Sequence, residues 1–213
     1  MTRLLPGVFA MAAIVVASNI LVQFLILDGL LTWGAFTYPF AFLVTDVMNR
    51  IYGPSAARKV VLAGLVTGII CSLIGSQIML QGDGYTYPAV AVRIAIGSAC
   101  AFAVAQLLDV AVFDRLRAGA WWRAPLASTL IGATVDTALF FSIAFAAGLN
   151  GLSASAAAEV SWAQDAAPLL TVGPIAPLWV SLAIADWAVK IAIALIALIP
   201  FRVIAGRFAQ PAM

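Results

Sequence analysis

Asp46 and Arg50 stand four positions apart in Thr37 to Gly53, TYPFAFLVTDVMNRIYG, an otherwise largely apolar segment. Four residues make about one helical turn, so a carboxylate and a guanidinium so spaced can share one face within pairing range. The same step recurs at Asp186 and Lys190, and with amides at Asn19 and Gln23. Arg93, Gln106, Asp109 and Asp136 complete the polar set within the apolar stretches. Arg93 and Asp109 differ by roughly 160° around a helix, so they face different neighbours. Four of the charged residues are acids (Asp46, Asp109, Asp136, Asp186) and three are bases (Arg50, Arg93, Lys190). One acid therefore lacks a base. Asp136 is the candidate, since no basic residue stands within a turn of it. An aspartate so placed suits either proton coupling or recognition of a ligand N–H edge.

The elements that carry these residues belong to a membrane. The 213 residues are 64% apolar and 9% charged, with a mean hydropathy of +1.10, which points to one transmembrane helical domain over residues 1–213. Charged groups at membrane depth are costly and mark pathways or binding sites; the alternative is that they act as interhelical glue. The net charge of +2 suggests no nucleic-acid partner. Cys71 and Cys100 lie in apolar stretches without CxxC spacing and read as thiols, neither a disulfide nor a metal site. Histidine is absent, as are HExxH and a nucleophile elbow, so neither an enzyme nor a bound metal or cofactor is expected. Paired aspartates could in principle do protease chemistry, but the short motifs that would support it are missing. The first apolar run shows no small-residue cleavage site and reads as a retained span.

About 20 apolar residues cross a hydrocarbon core of roughly 30 Å. Six spans are expected, at about 8–27, 31–52, 59–80, 89–113, 124–148 and 177–200, making an all-α polytopic protein. Tyr38-Pro39 should bend or interrupt the second. Arg3, then Arg50, Arg58 and Lys59, then Arg115, Arg117 and Arg123, then Arg202 and Arg207 fall at alternate ends. The other ends carry only Asp28, Asp83, Glu159 and Asp165. Under the positive-inside rule both termini are then cytoplasmic. In the long fifth connection, Ser153 to Gln164 is expected as a short interfacial helix with Trp162 near the headgroups. Pro168, Pro174 and Pro177 prevent a straight helix from running through it.

Aromatic residues cluster beside the charges: Trp33, Phe36, Tyr38, Phe40 and Phe42, then Phe140 and Phe141. They are either lipid-facing packing or platforms for a flat heterocycle. Aromatic faces with a carboxylate and an amide suit a guanine-like edge.

TWGAF (Thr32 to Phe36), YPFAFLVTDVMNRIYG with Ala57-Arg58 following, QLLDVAVFDRLR (Gln106 to Arg117), WWRAPLASTL (Trp121 to Leu130) and DTALFFSIAF (Asp136 to Phe145) resemble the queuosine precursor transporter family, also called the vitamin uptake transporter family. SNILVQF in the first span and the Asp186 to Lys190 step fit the same pattern. The resemblance implies a six-helix protein of the bacterial inner membrane that imports 7-deazaguanine precursors, preQ0 or preQ1, for queuosine modification of tRNA. It also implies that Asn19, Gln23, Asp46, Arg50, Arg93, Gln106, Asp109, Asp136, Asp186 and Lys190 are polar core positions. On this reading Asp136 accepts the base N–H groups, Asn19 or Gln23 serves its carbonyl, and a span-two aromatic stacks on it, with Phe40 and Phe140 among the substrate-binding candidates. Arg93 and Gln106 complete the substrate shell, while Asp46–Arg50, Asp109 and Asp186–Lys190 frame or gate it. The rival readings are a binding subunit driven by a separate ATPase module and a purely structural membrane protein. The chain itself has no GxxxxGK[ST] loop, and a homodimer is the other open arrangement.

Overall fold

A computed structural model describes residues 2–21, 24–27, 29–82 and 84–208. The sequence readings that fall on Gln23, Asp28 and Asp83 lie outside the described residues. Among the described residues eight α-helices follow in order: α1 (Leu5–Leu21), α2 (Gly34–Thr37), α3 (Phe40–Tyr52), α4 (Pro54–Gln77), α5 (Val92–Leu116), α6 (Arg123–Phe145), α7 (Ala154–Glu159) and α8 (Leu178–Phe208). Five segments among the described residues are long and apolar enough to cross a membrane: Thr2–Leu21, Pro54–Gln77, Val92–Leu116, Arg123–Phe145 and Leu178–Arg207.

The segment over 31–52, where Tyr38-Pro39 is expected to bend or interrupt the span, is not among them. It is broken into α2 and α3 at Tyr38-Pro39. Proline has no N–H to donate, and its ring crowds the carbonyl one turn back. The chain turns there through Tyr38 N–H to Gly34 O (3.0 Å) and Phe42 N–H to Pro39 O (3.1 Å). At the other end of α3 the chain reverses at Gly53, whose φ of 85° is easy only for glycine. Pro54 then opens α4 at a position where its missing N–H costs nothing. The last helix differs from expectation, running through Pro200 to Phe208 rather than ending at 200.

Three antiparallel hairpins supplement the helices: β1 (Leu25–Ile26) with β2 (Leu31–Thr32), β3 (Met79–Gln81) with β4 (Thr86–Pro88), and β5 (Ala166–Pro168) with β6 (Ile175–Pro177). They occupy the connections after α1, α4 and α6, at the end of the bundle opposite the basic turns. There they satisfy backbone groups that short linkers would otherwise leave unpaired beside apolar helices. Within the expected interfacial segment, α7 and a 3-10 turn (Ser161–Gln164) form, and the Ser153 side chain caps α7 by accepting from Ala156 N–H.

The main apolar core joins Met11 and Val15 of α1, Ala41 and Met48 of α3, Val60 and Val61 of α4, and Phe102 and Val110 of α5. Helices α5 and α6 meet through small buried residues, Gly97, Ala101 and Ala105 against Gly132, Ala133 and Ala144. Small residues let helix backbones approach closely where lipid removes the hydrophobic drive for association. At Gly132 a Cβ would stand 2.7 Å from Cε1 of the fully buried Phe42, so the α3–α6 contact requires glycine there.

Candidate functional site

The helix break at Tyr38-Pro39 sets the site. It turns the Tyr38 hydroxyl inward, where it donates to Asp136 Oδ1 on α6 at 2.9 Å. The Tyr38 ring is held edge-on by Phe42 and Phe102, with centroids 6.3 and 6.2 Å away. From α8, Lys190 Nζ reaches Asp136 Oδ2 at 2.7 Å and Asp186 Oδ2 at 2.5 Å. It also donates to Thr137 Oγ1 at 3.1 Å, while that hydroxyl donates to Asp186 Oδ2 at 2.9 Å. The ammonium stands 5.3 Å from the centre of the Tyr38 ring, within cation–π range. Asp136 and Lys190 are 3% and 4% exposed, so the ion pair is sealed from water.

Two carboxylates thus share one ammonium, and the cluster carries a net formal charge of −1. Its remaining hydrogen-bonding capacity lies on carboxylate oxygens, which accept and do not donate when ionised. Such a group of atoms is fitted to a ligand edge rich in N–H groups.

The arrangement corrects two expectations. Asp136 is not the acid without a base, because Lys190 reaches it from the facing helix. Asp46 and Arg50 are not paired. The two oxygens of Asp46 accept from Ser128 Oγ at 3.0 Å and Thr129 Oγ1 at 3.1 Å. Arg50 instead donates to Arg117 O at 2.8 Å and lies 5.1 Å from the centre of the Phe113 ring. The Asp186–Lys190 step does form an ion pair.

The other singled-out residues divide by location. Gln106 is fully buried and accepts from Thr45 Oγ1 at 2.6 Å, in the same α3–α5 layer as Asp109. Arg93 lies toward the hairpin end and donates to two backbone carbonyls, Ile143 O (2.8 Å) and Ala146 O, and to the side-chain Asn150 Oδ1 (2.7 Å). Gln164 Nε2 donates to Phe145 O (3.0 Å), so this network pins the connection after α6 onto its last carbonyls. Asn19 is half-buried and donates to Val15 O within its own helix at 2.8 Å. Phe40 is 41% exposed on the outside of α3, and Phe140 packs with Phe141 and Phe145.

Sequence reading treated Tyr38 only as a bend and an aromatic, and it did not single out Ser128. The usable signal was position: Ser128-Thr129, Gly132 and Asp136-Thr137 recur at helical spacing on α6, so they share one inward face.

Several long apolar helices around a buried ionic core define a multi-pass membrane protein. Residues 32–205 match the family described as "Putative vitamin uptake transporter", and the chain belongs to that family. It is 43% identical over 141 residues to the queuosine precursor transporter of Escherichia coli (strain K12), covering 62% of this chain and 64% of that one. A probable queuosine precursor transporter of Haemophilus influenzae is 45% identical over 121 residues, covering 54% of this chain and 52% of the relative. One of Bacillus subtilis (strain 168) is 31% identical over 128 residues, covering 54% and 56%. The chain therefore spans less than two thirds of the length of the curated relatives it matches. No solved structure matches it.

Proposed function

We propose that this protein transports a 7-deazaguanine precursor of queuosine, preQ0 or preQ1, across the bacterial inner membrane. The observation that carries the reading is the Tyr38–Asp136–Lys190–Asp186 cluster, built where one helix is broken. Discontinuous helices at membrane depth are tolerated where backbone is buried in protein or lines a cavity, and transporters place substrate sites at such breaks. Helices α2 and α3 together cover 34–52, about 28 Å of helix, enough to serve as a broken sixth span. With six spans, the basic turns face the cytoplasm at both termini and the hairpins face outward.

Lys190 gives the site a way to exchange partners without stranding a charge. It holds Asp136 and Asp186 together, so it can stay with Asp186 while Asp136 turns to the ligand. A guanine-type edge presents adjacent ring and exocyclic N–H donors, which match the two oxygens of one carboxylate. The Tyr38 ring, held edge-on by its aromatic neighbours, carries the hydroxyl that meets Asp136 and takes the stacking role expected of a span-two aromatic. Arg50 and Arg93 act as frame.

The test is precursor-dependent queuosine formation in cells unable to make preQ0. Asp136→Ala should lower uptake at limiting precursor by at least about tenfold, since truncating one partner of a buried charge pair costs about 2–5 kcal/mol. Normal uptake by this variant at wild-type abundance would remove Asp136 from the site. Uptake by the purified chain alone in liposomes separates a self-sufficient transporter from a subunit that needs an ATPase.

A further inference from the structure

One layer toward the basic end from the Tyr38 site, α3 and α5 face each other through polar side chains. Thr45 Oγ1 donates to Gln106 Oε1 (2.6 Å) and Asn49 Nδ2 donates to Val110 O (3.0 Å). Between these two rungs Asp46 and Asp109 converge on one stretch of α6, Asp46 on the Ser128 and Thr129 hydroxyls and Asp109 against Gly132 one turn on. Asp46 is 2% exposed and Asp109 fully buried. The oxygens of Asp46 take the Ser128 and Thr129 hydroxyls, but neither oxygen of Asp109 has a donor among the described residues. The Gln106 Nε2 and Asn49 Oδ1 atoms beside them are also buried without a partner.

No cation forms an ion pair with either carboxyl group among the described residues. On α3, Arg50 stands one turn beyond Asp46, donates through Nη1 to Arg117 O and lies over the Phe113 ring, with Nη2 buried and unpartnered. At the end of α5, Arg117 binds Asp114 and the carbonyl of Asn49, and Arg115 is exposed. On α8, Lys190 serves Asp136 and Asp186, and Arg202 lies over Trp121. Arg123 of α6 and Arg58 and Lys59 of α4 are exposed at the ends of their helices, and α1 carries no charged residue. Two ionised carboxylates so placed, closed to water and without an ion-pair partner, repel strongly; one proton between them removes the repulsion and supplies the hydrogen bond that Asp109 lacks.

This layer is mechanically tied to the Tyr38 site. Thr129, Gly132 and Asp136 stand on successive turns of α6, so the two acidic centres are separated by about 10 Å along that helix. Phe42 fills the interval, packed on Gly132 and edge-on to Tyr38. Helix α3 carries Phe42 and Asp46, and Tyr38 directly precedes it, so a shift of α3 that frees Asp136 also moves Asp46 against Asp109. A narrow crevice lined by Pro39, Leu43, Thr129, Ala194 and Phe201 leads to Asp46.

We infer that Asp46 and Asp109 form a one-proton site, with the Ser128 and Thr129 hydroxyls as fixed donors, that couples uptake to proton entry. A proton taken from outside is held between the two carboxyl groups and released to the cytoplasm as α3 moves. This rests on the transporter reading, so the test has one arm independent of transport. In that arm, infrared spectra of the purified full-length protein at neutral pH should show the carbonyl stretch of a protonated carboxylic acid, shifted in heavy water. Asp46→Asn and Asp109→Asn should each abolish it, whereas Asp136→Asn should keep it. The amide of either asparagine can donate to the remaining carboxylate, which preserves the bridging hydrogen bond. Absence of the band in the wild type, or its survival in both variants, overturns the proposal.

In the second arm, proteoliposomes under an inward gradient of one pH unit should accumulate labelled precursor up to about tenfold at one proton per substrate. Asp109→Asn should lose that accumulation while still exchanging labelled for unlabelled precursor. Accumulation that follows sodium and ignores the pH gradient overturns the proton in favour of a metal cation on the same oxygens. If the wild type moves no precursor at all, the transporter reading fails while the infrared arm still decides whether the proton is there.

Discussion

Lys190 is the side chain on which the ionic core depends. Replacing it with methionine leaves Asp136 and Asp186 facing each other without a cation, and breaking a buried pair in this way typically costs about 3–5 kcal/mol. Lys190→Met should therefore lower the thermal unfolding temperature in detergent, and adding Asp136→Asn should recover part of the loss. No recovery would mean that the two residues do not act as a pair. Residue types were the legible part of this site, because ionisable groups stand out in an apolar chain. Their partners were less so. The i, i+4 rule finds Asp186–Lys190 but misleads for Asp46 and Arg50, which have the same spacing. Arg50 is one turn nearer the end of α3, and its long side chain snorkels to the Arg117 carbonyl and the Phe113 ring. Asp46 is short and is held by hydroxyls on α6. Helical spacing shows which residues can meet within a helix, whereas the Lys190–Asp136 and Tyr38–Asp136 contacts cross between helices and have no local signature.

At the scale of the element, the broken α2–α3 segment and the close α3–α6 contact control the site. Pro39→Ala restores a backbone donor and lets the helix straighten, which would carry the Tyr38 hydroxyl away from Asp136. Uptake should fall severalfold at normal abundance; unchanged uptake would show that the break is dispensable. Gly132→Ala places a methyl group against Phe42, and overpacking of this kind costs about 1–3 kcal/mol. Phe42→Leu in the same chain should relieve much of that cost, measurable as a non-additive change in unfolding temperature. The Tyr38-Pro39 interruption was legible from proline chemistry, and long helices from hydropathy. The hairpins were not expected, although Asp-Gly pairs at 28–29 and 83–84 between apolar residues are turn signals. Strands of two or three residues carry too little alternation to register against the neighbouring helices.

Across the whole molecule, the charge distribution alone carries the proposed orientation. In that proposal the end with the alternating Arg and Lys clusters faces the cytoplasm. The long Ala146 to Pro177 connection at the other end is clamped onto α5 and α6 by Arg93 and Gln164. That clamp leaves Leu152 and Val172 at 81% and 91% exposure, while Arg58 is exposed at the basic end. In a chain with Cys71 and Cys100 replaced by serine, a cysteine at 152 or 172 should react with a membrane-impermeant maleimide in intact spheroplasts. A cysteine at 58 should react only after the membrane is opened. The opposite pattern would invert the molecule, turning the Asp46–Asp109 layer toward the outside and the hairpins toward the cytoplasm. A cysteine at 3 that labels from the opposite side to a cysteine at 58 would mean that α2 and α3 do not cross together, because α1 alone would then separate the two exposed positions.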